Sequence, residues 1–162
     1  MKQMPAERSV VRGFTLVELL IVIAILAILA AATAVILNPG ELLAQSRDTQ
    51  RAADLSAVRS ALGIYLAQIA PPILGAGTAG GRCTADPGAG NGPFSTATCA
   101  TVTSDQRIDG NGWVDVNLAL LPTNTPFARL PLDPVNDATY FYAYRSEATD
   151  RVFELNTRFE SK

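Results

Sequence analysis

The sequence predicts an α+β chain: a long N-terminal helix, apolar in its first half, whose second half packs on a small antiparallel sheet of about three strands. Three observations point there. An apolar run from Phe14 to Leu37 carries a single charge, Glu18. Leu55, Val58, Leu62, Tyr65, Leu66 and Ile69 then recur at the three- and four-residue spacing of an amphipathic helix. Strand-like segments crowd residues 113–162. The chain thus divides into a basic leader (1–13), an apolar helix (14–37), an amphipathic spine helix (38–70), a Gly-rich variable loop (71–112) and a C-terminal sheet (113–162).

A helix spanning residues 14–37 reaches roughly 36 Å, enough to cross the hydrocarbon of a bilayer with some tilt. Lys2, Arg8 and Arg12 precede it, and the first charge after it is Glu41. The positive-inside bias therefore puts the N-terminus in the cytoplasm and the bulk of the protein outside. Glu18 is the anomaly, because acids inside membrane segments have a partner or a task. Two readings stand side by side: a tolerated carboxylate near the interface, suited to the positive end of the helix dipole, and a functional group.

Asn38-Pro39-Gly40 breaks the apolar pattern, and a kink or a short unwound turn is expected there before the helix resumes. Arg47, Asp48, Arg51, Asp54 and Arg59 are placed on faces other than the apolar stripe. The helix should end before Pro71-Pro72.

Residues 73–112 are rich in Gly, Ala, Thr and Pro and read as loop with little core of its own. Cys83 and Cys99 are the only cysteines. On an exported domain a disulfide between them is the favoured reading, closing a loop of about 17 residues worth roughly 3 kcal/mol. Their spacing does not suit a thioredoxin-like pair, and two thiols without histidine make a poor zinc site. Asp105, Asp109, Asn111 and Asp115 supply oxygens that could fold around Ca²⁺. The full EF-hand spacing and its terminal Glu are missing, and Asp-Gly and Asn-Gly are ordinary turn dipeptides. No metal site is favoured; a turn leading into a strand is.

Val114, Val116 and Leu118 alternate with Trp113, Asp115 and Asn117, the pattern of a half-buried strand. Tyr140 to Tyr144 and Arg151 to Asn156 read as two more strands, paired as a hairpin across the polar turn Ser146 to Asp150. Three such strands suffice to cover one face of the spine helix. Tyr140, Tyr142 and Tyr144 share a face and, with Trp113, suggest base or sugar stacking. No basic residues are interleaved before Arg145, so sheet packing or subunit contact is the favoured role and nucleic acid is not expected as a main ligand.

With 48% hydrophobic residues, a net charge of −2 and no histidine, the chain lacks both the electrostatic footprint of a nucleic-acid binder and the commonest general base. Without a leader carrying three basic residues and one acidic one, the remainder stands at −4. No nucleophile–base pair or phosphate-binding loop is legible, so neither an enzyme nor a cofactor is expected.

Gly13-Phe14-Thr15-Leu16-Val17-Glu18-Leu19-Leu20 following Lys2, Arg8 and Arg12 closely resembles the processing motif of type IV pilins and of the pseudopilins of type II secretion. The resemblance implies cleavage after Gly13 by a prepilin peptidase and N-methylation of Phe14, which keeps the positive charge. It further implies a single-pass inner-membrane anchor with a cytoplasmic N-terminus, later extracted into an extracellular or cell-surface filament. In such a bundle Glu18 would pair with the Phe14 amine of a neighbour and set the axial register. Leu37-Asn38-Pro39, Arg47-Asp48 with Arg51, and Leu130-Pro131-Leu132-Asp133-Pro134-Val135-Asn136 resemble one subgroup of bacterial pilins, in which the last segment forms a rigid connection into the hairpin. The partners implied are further copies of the chain in a helical homopolymer, the peptidase, an inner-membrane assembly platform and, indirectly, an assembly ATPase. Alternatives are a pseudopilin of a type II secretion or DNA-uptake system, a minor tip adhesin, and a soluble binding module released by a conventional signal peptidase after Ala34, where Ala32-Thr33-Ala34 offers small residues. Against the last, the apolar run exceeds an ordinary h-region and Glu18 interrupts it.

Overall fold

The computed structural model describes residues 13–75, 81–88, 94, 99–122, 128–147 and 151–162. Its elements are α1 (Leu16–Leu37), α2 (Pro39–Gln68), β1 (Arg82–Cys83), β2 (Thr101–Val102), a 3₁₀ turn (Leu118–Leu120), β3 (Ala143–Glu147) and β4 (Val152–Asn156). The chain resolves into two compact units, the first ending at Leu42 and the second running from Leu43 to Lys162. Residues 1–12 of the basic leader lie outside the described residues.

In the first unit α1 is apolar on every side, and from Leu16 to Ala34 none of it is buried. It is long and apolar enough to cross a membrane. A helix with no polar face cannot be a surface helix of a water-soluble domain, because water would meet apolar side chains all round. Thr33 satisfies its hydroxyl within the helix by donating to the carbonyls of Leu29 and Ala30, at 3.1 and 2.9 Å. The break predicted at Asn38-Pro39-Gly40 is a single residue. Asn38 takes the left-handed conformation, φ 38°, and caps α1. Pro39 opens α2 at the helix position where a missing N–H costs nothing.

In the second unit α2 lays its buried stripe against a core that includes Trp113, Leu118 and Leu130 from the connecting segments and Tyr142 and Tyr144 of the hairpin. The four strands lie in the order β2-β1-β3-β4. β1 runs parallel to β2 and antiparallel to β3, while β3 and β4 form an antiparallel hairpin with Tyr144 opposite Leu155. The α+β layout is the predicted one, but the sheet is mixed and has four strands. The two extra strands come from the Gly-rich middle, where Cys83 and Phe94 form a second small core with Phe141 and Ala143.

Residues 113–118 do not form the predicted strand. Val114, Val116 and Leu118 are buried as the alternation requires, yet Trp113 is buried as well. The backbone finds its partners in the preceding loop instead of a neighbouring strand: Trp113 N–H donates to the Asp105 carbonyl at 3.1 Å and Ala119 N–H to that of Ile108 at 3.2 Å. A Cβ on Gly112 would stand 2.1 Å from the Arg107 carbonyl, so this close approach requires glycine. The hairpin's first strand also starts later than predicted, at Ala143. Residues 148–150 of the predicted turn lie outside the described residues.

Candidate functional site

The head of α1 is a closed piece of local chemistry. Thr15 is the N-cap, with extended backbone at φ −80° and ψ 151°. Its hydroxyl accepts from Glu18 N–H at 3.3 Å, and the Glu18 carboxylate reaches back to accept from Thr15 N–H at 3.0 Å. The Thr15 hydroxyl in turn donates to the same carboxylate oxygen, Oε2, at 2.7 Å. This is a reciprocal capping box that satisfies donors a helix start would leave bare. Gly13 and the exposed Phe14 precede it, and among the described residues, chain neighbours aside, no atom lies within 4 Å of where a Cβ on Gly13 would stand.

Residues 8–34 match the family model for the prokaryotic N-terminal methylation motif. The chain carries a class III prepilin signal. That signal marks type IV pilins and pseudopilins, and together with the apolar α1 it fits a membrane-anchored, prepilin-like precursor. The match ends at Ala34, so the second unit is outside it. No curated protein and no solved structure matches the chain.

In the second unit of this prepilin-like chain, Cys83 and Cys99 form the disulfide, with Cα atoms 5.6 Å apart. It ties β1 to the segment leading into β2. Of the calcium candidates, Asp105 and Asp109 both face the Arg107 guanidinium, and among the described residues no three acidic or thiol side chains converge. Asp105 accepts from Arg107 Nε at 2.9 Å, and Asp109 from Asn111 N–H at 3.0 Å. The oxygens of Asp115, Gly110 and Gly112 do gather around a cation, but it is the Arg82 guanidinium, at 2.7, 3.2 and 2.7 Å. The aromatic platform is absent in the same physical sense. Trp113, Tyr142 and Tyr144 are buried, with Trp113 Nε1 donating to the Pro131 carbonyl at 2.9 Å and Tyr144 to that of Leu74 at 2.8 Å. Tyr140 offers its ring to Arg51, 5.0 Å away.

Sequence reasoning missed the centre of the second unit. Arg51 and Asp48 lie on the buried stripe of α2, not on another face; Arg51 is fully buried. Its Nε and Nη2 clasp the Asp133 carboxylate at 2.6 and 2.9 Å, and its Nη1 donates to Asp48 at 2.8 Å. Glu160 joins from the C-terminal tail, bridging Arg51 and Arg47. The Asp133 pair holds the Arg51 guanidinium well above the usual arginine range despite burial, and Glu160 and Asp48 add to this. Burial resists ionisation of Asp48, but the backbone N–H groups of Ser161 and Glu160 and the Arg51 side chain outweigh it and hold its carboxyl well below the usual range. Arg47 does the same for Glu160, helped by Arg51. One signal was available: stepping back from Leu55 by four and then three residues lands on Arg51 and Asp48, so the core stripe continues through charged residues. Asp133 sits in the segment already singled out, but nothing in the sequence joins it to Arg51, 82 residues away.

Proposed function

We propose that this protein is a structural subunit of a type IV pilus or pilus-like filament. Prepilin peptidase cuts it after Gly13, Phe14 is N-methylated, and the subunit polymerises through α1. The observation that carries this is the pairing of the methylation motif with a helix whose apolar surface is unburied among the described residues. Lipid covers it before assembly, and the helices of other copies cover it afterwards. The unpacked glycine before the cut supports a demand made by the peptidase and not by the fold.

Glu18 sets the axial register by pairing with the Phe14 amine of a neighbouring copy. Its Oε2 is engaged by Thr15, which fixes the carboxylate at the helix head, while Oε1 takes no hydrogen bond among the described residues. The subunit is stored with its N-terminus in the cytoplasm, and it works with the assembly platform, the assembly ATPase and further copies of itself. The rival soluble module is disfavoured because Ala32-Thr33-Ala34 lies inside α1, which runs on as helix to Leu37. The pseudopilin reading shares the same motif, and filament length and location separate the two.

Glu18→Gln tests the register role, because an amide can keep the capping box while losing the charge. Processed subunits that stay in the membrane without forming filaments are expected. Filament yield equal to wild type would remove the role.

A further inference from the structure

We propose that residues 157–162 are a strap that closes and opens on the second unit separately from its sheet, with Asp48 as the catch. β4 ends at Asn156, and the six residues beyond it take no regular secondary structure. None of them is buried; Phe159 presents its ring to solvent at 57% exposure, so the strap has no apolar anchor. What ties it to α2 is polar. The Asp48 carboxylate accepts from Glu160 N–H at 2.9 and 3.1 Å and from Ser161 N–H at 2.8 Å, while the Glu160 carboxylate bridges Arg47 and Arg51.

Two features suit this contact to opening. Arg51 keeps Asp133 and Asp48 as partners when Glu160 leaves, so no buried guanidinium is stranded. The group left behind, Arg47 and Arg51 with Asp48 and Asp133, has two positive and two negative side chains, so opening leaves it balanced. Closure also buries the Thr157 hydroxyl oxygen without a hydrogen-bond partner among the described residues, a penalty that opening removes. The hairpin beside the strap is held differently, by a five-residue backbone ladder over buried tyrosines. The two should therefore open as different units. This inference does not depend on the filament reading.

The test is amide hydrogen exchange on the full chain in detergent micelles at neutral pH, comparing wild type with Asp48→Asn and Glu160→Gln. In wild type the amides of Glu160 and Ser161 are expected to be protected. Weakening a hydrogen bond to a charged acceptor should speed their exchange about tenfold or more in Asp48→Asn while the β3–β4 amides keep their rates. Glu160→Gln reads the same opening if Asp48→Asn does not fold. Unprotected Glu160 and Ser161 amides in wild type would overturn the proposal. So would strap and hairpin rates rising together, which would make the tail part of one cooperative unit.

Discussion

The two units treat charge in opposite ways. α1 shows apolar side chains on every face and keeps its one carboxylate within a four-residue capping box. α2 buries a guanidinium and a carboxylate on its core stripe and satisfies them with groups up to 113 residues away in sequence. The second unit is therefore closed on itself: its buried charges already have partners, and Trp113, Tyr142 and Tyr144 are inside. The first unit is open, because its apolar surface gains nothing until lipid or other copies cover it. On the proposed filament reading, contacts between chains belong to the first unit.

That contrast can be broken most forcefully at Arg51. Arg51→Met leaves the Asp133, Asp48 and Glu160 carboxylates together without their central cation, and a loss of about 3 to 5 kcal/mol is expected in urea denaturation of the second unit. Membrane insertion of α1, followed by carbonate extraction, should be unchanged. Loss of both together would mean that the units do not fold separately. Next comes the disulfide. Replacing Cys83 and Cys99 by alanine should cost about 3 kcal/mol, less if the reduced loop stays compact. Wild type under reducing conditions should fall by the same amount.

A smaller effect sharpens the first unit. Thr15→Ala removes the N-cap, worth about 1 kcal/mol of local helix stability. Faster amide exchange confined to the first turn of α1 is expected, with the second unit unaffected.

Acid distinguishes the units again. Asp48 and Glu160 have depressed folded-state pKa values, so their contribution is complete above the unfolded carboxylate range, about pH 4, and is lost as pH falls through the folded values. The groups facing them include Arg47, Arg51, Asp133 and Asp137, together with the backbone of the tail. Asp54 works the other way: burial raises its pKa against the hydrogen bond from Tyr142, so acid relieves a penalty there. The urea midpoint should fall between about pH 6 and pH 3, and fall less in Asp48→Asn. An equal fall in both would remove Asp48 from the account.

The legible parts of the molecule are those decided locally. α1 follows from composition, its break from Asn38-Pro39, and the hairpin from alternation around a polar turn. The Thr15-x-x-Glu18 capping box was equally legible, since Ser or Thr three residues before Glu is a helix-start signal, yet the charge of Glu18 drew attention from its local role. What stayed hidden depends on distant partners. The parallel β1–β2 pair is two residues long and has no periodicity to read. Trp113 enters the core because Gly112 lets the Asp105–Ile108 loop take the backbone bonds that a strand would have used. Charged residues on α2 looked like a solvent face because burial of Arg51 makes sense only once Asp133 and Glu160 are placed beside it.

The most direct measurement of the central claim is the intact mass and N-terminal peptide map of the protein taken from its native membrane and from the sheared surface fraction. A chain beginning with N-methylated Phe14 and retaining Glu18 is the predicted result. A chain beginning at Val35 would contradict it, since α1 would then be a discarded signal and the second unit a released soluble module.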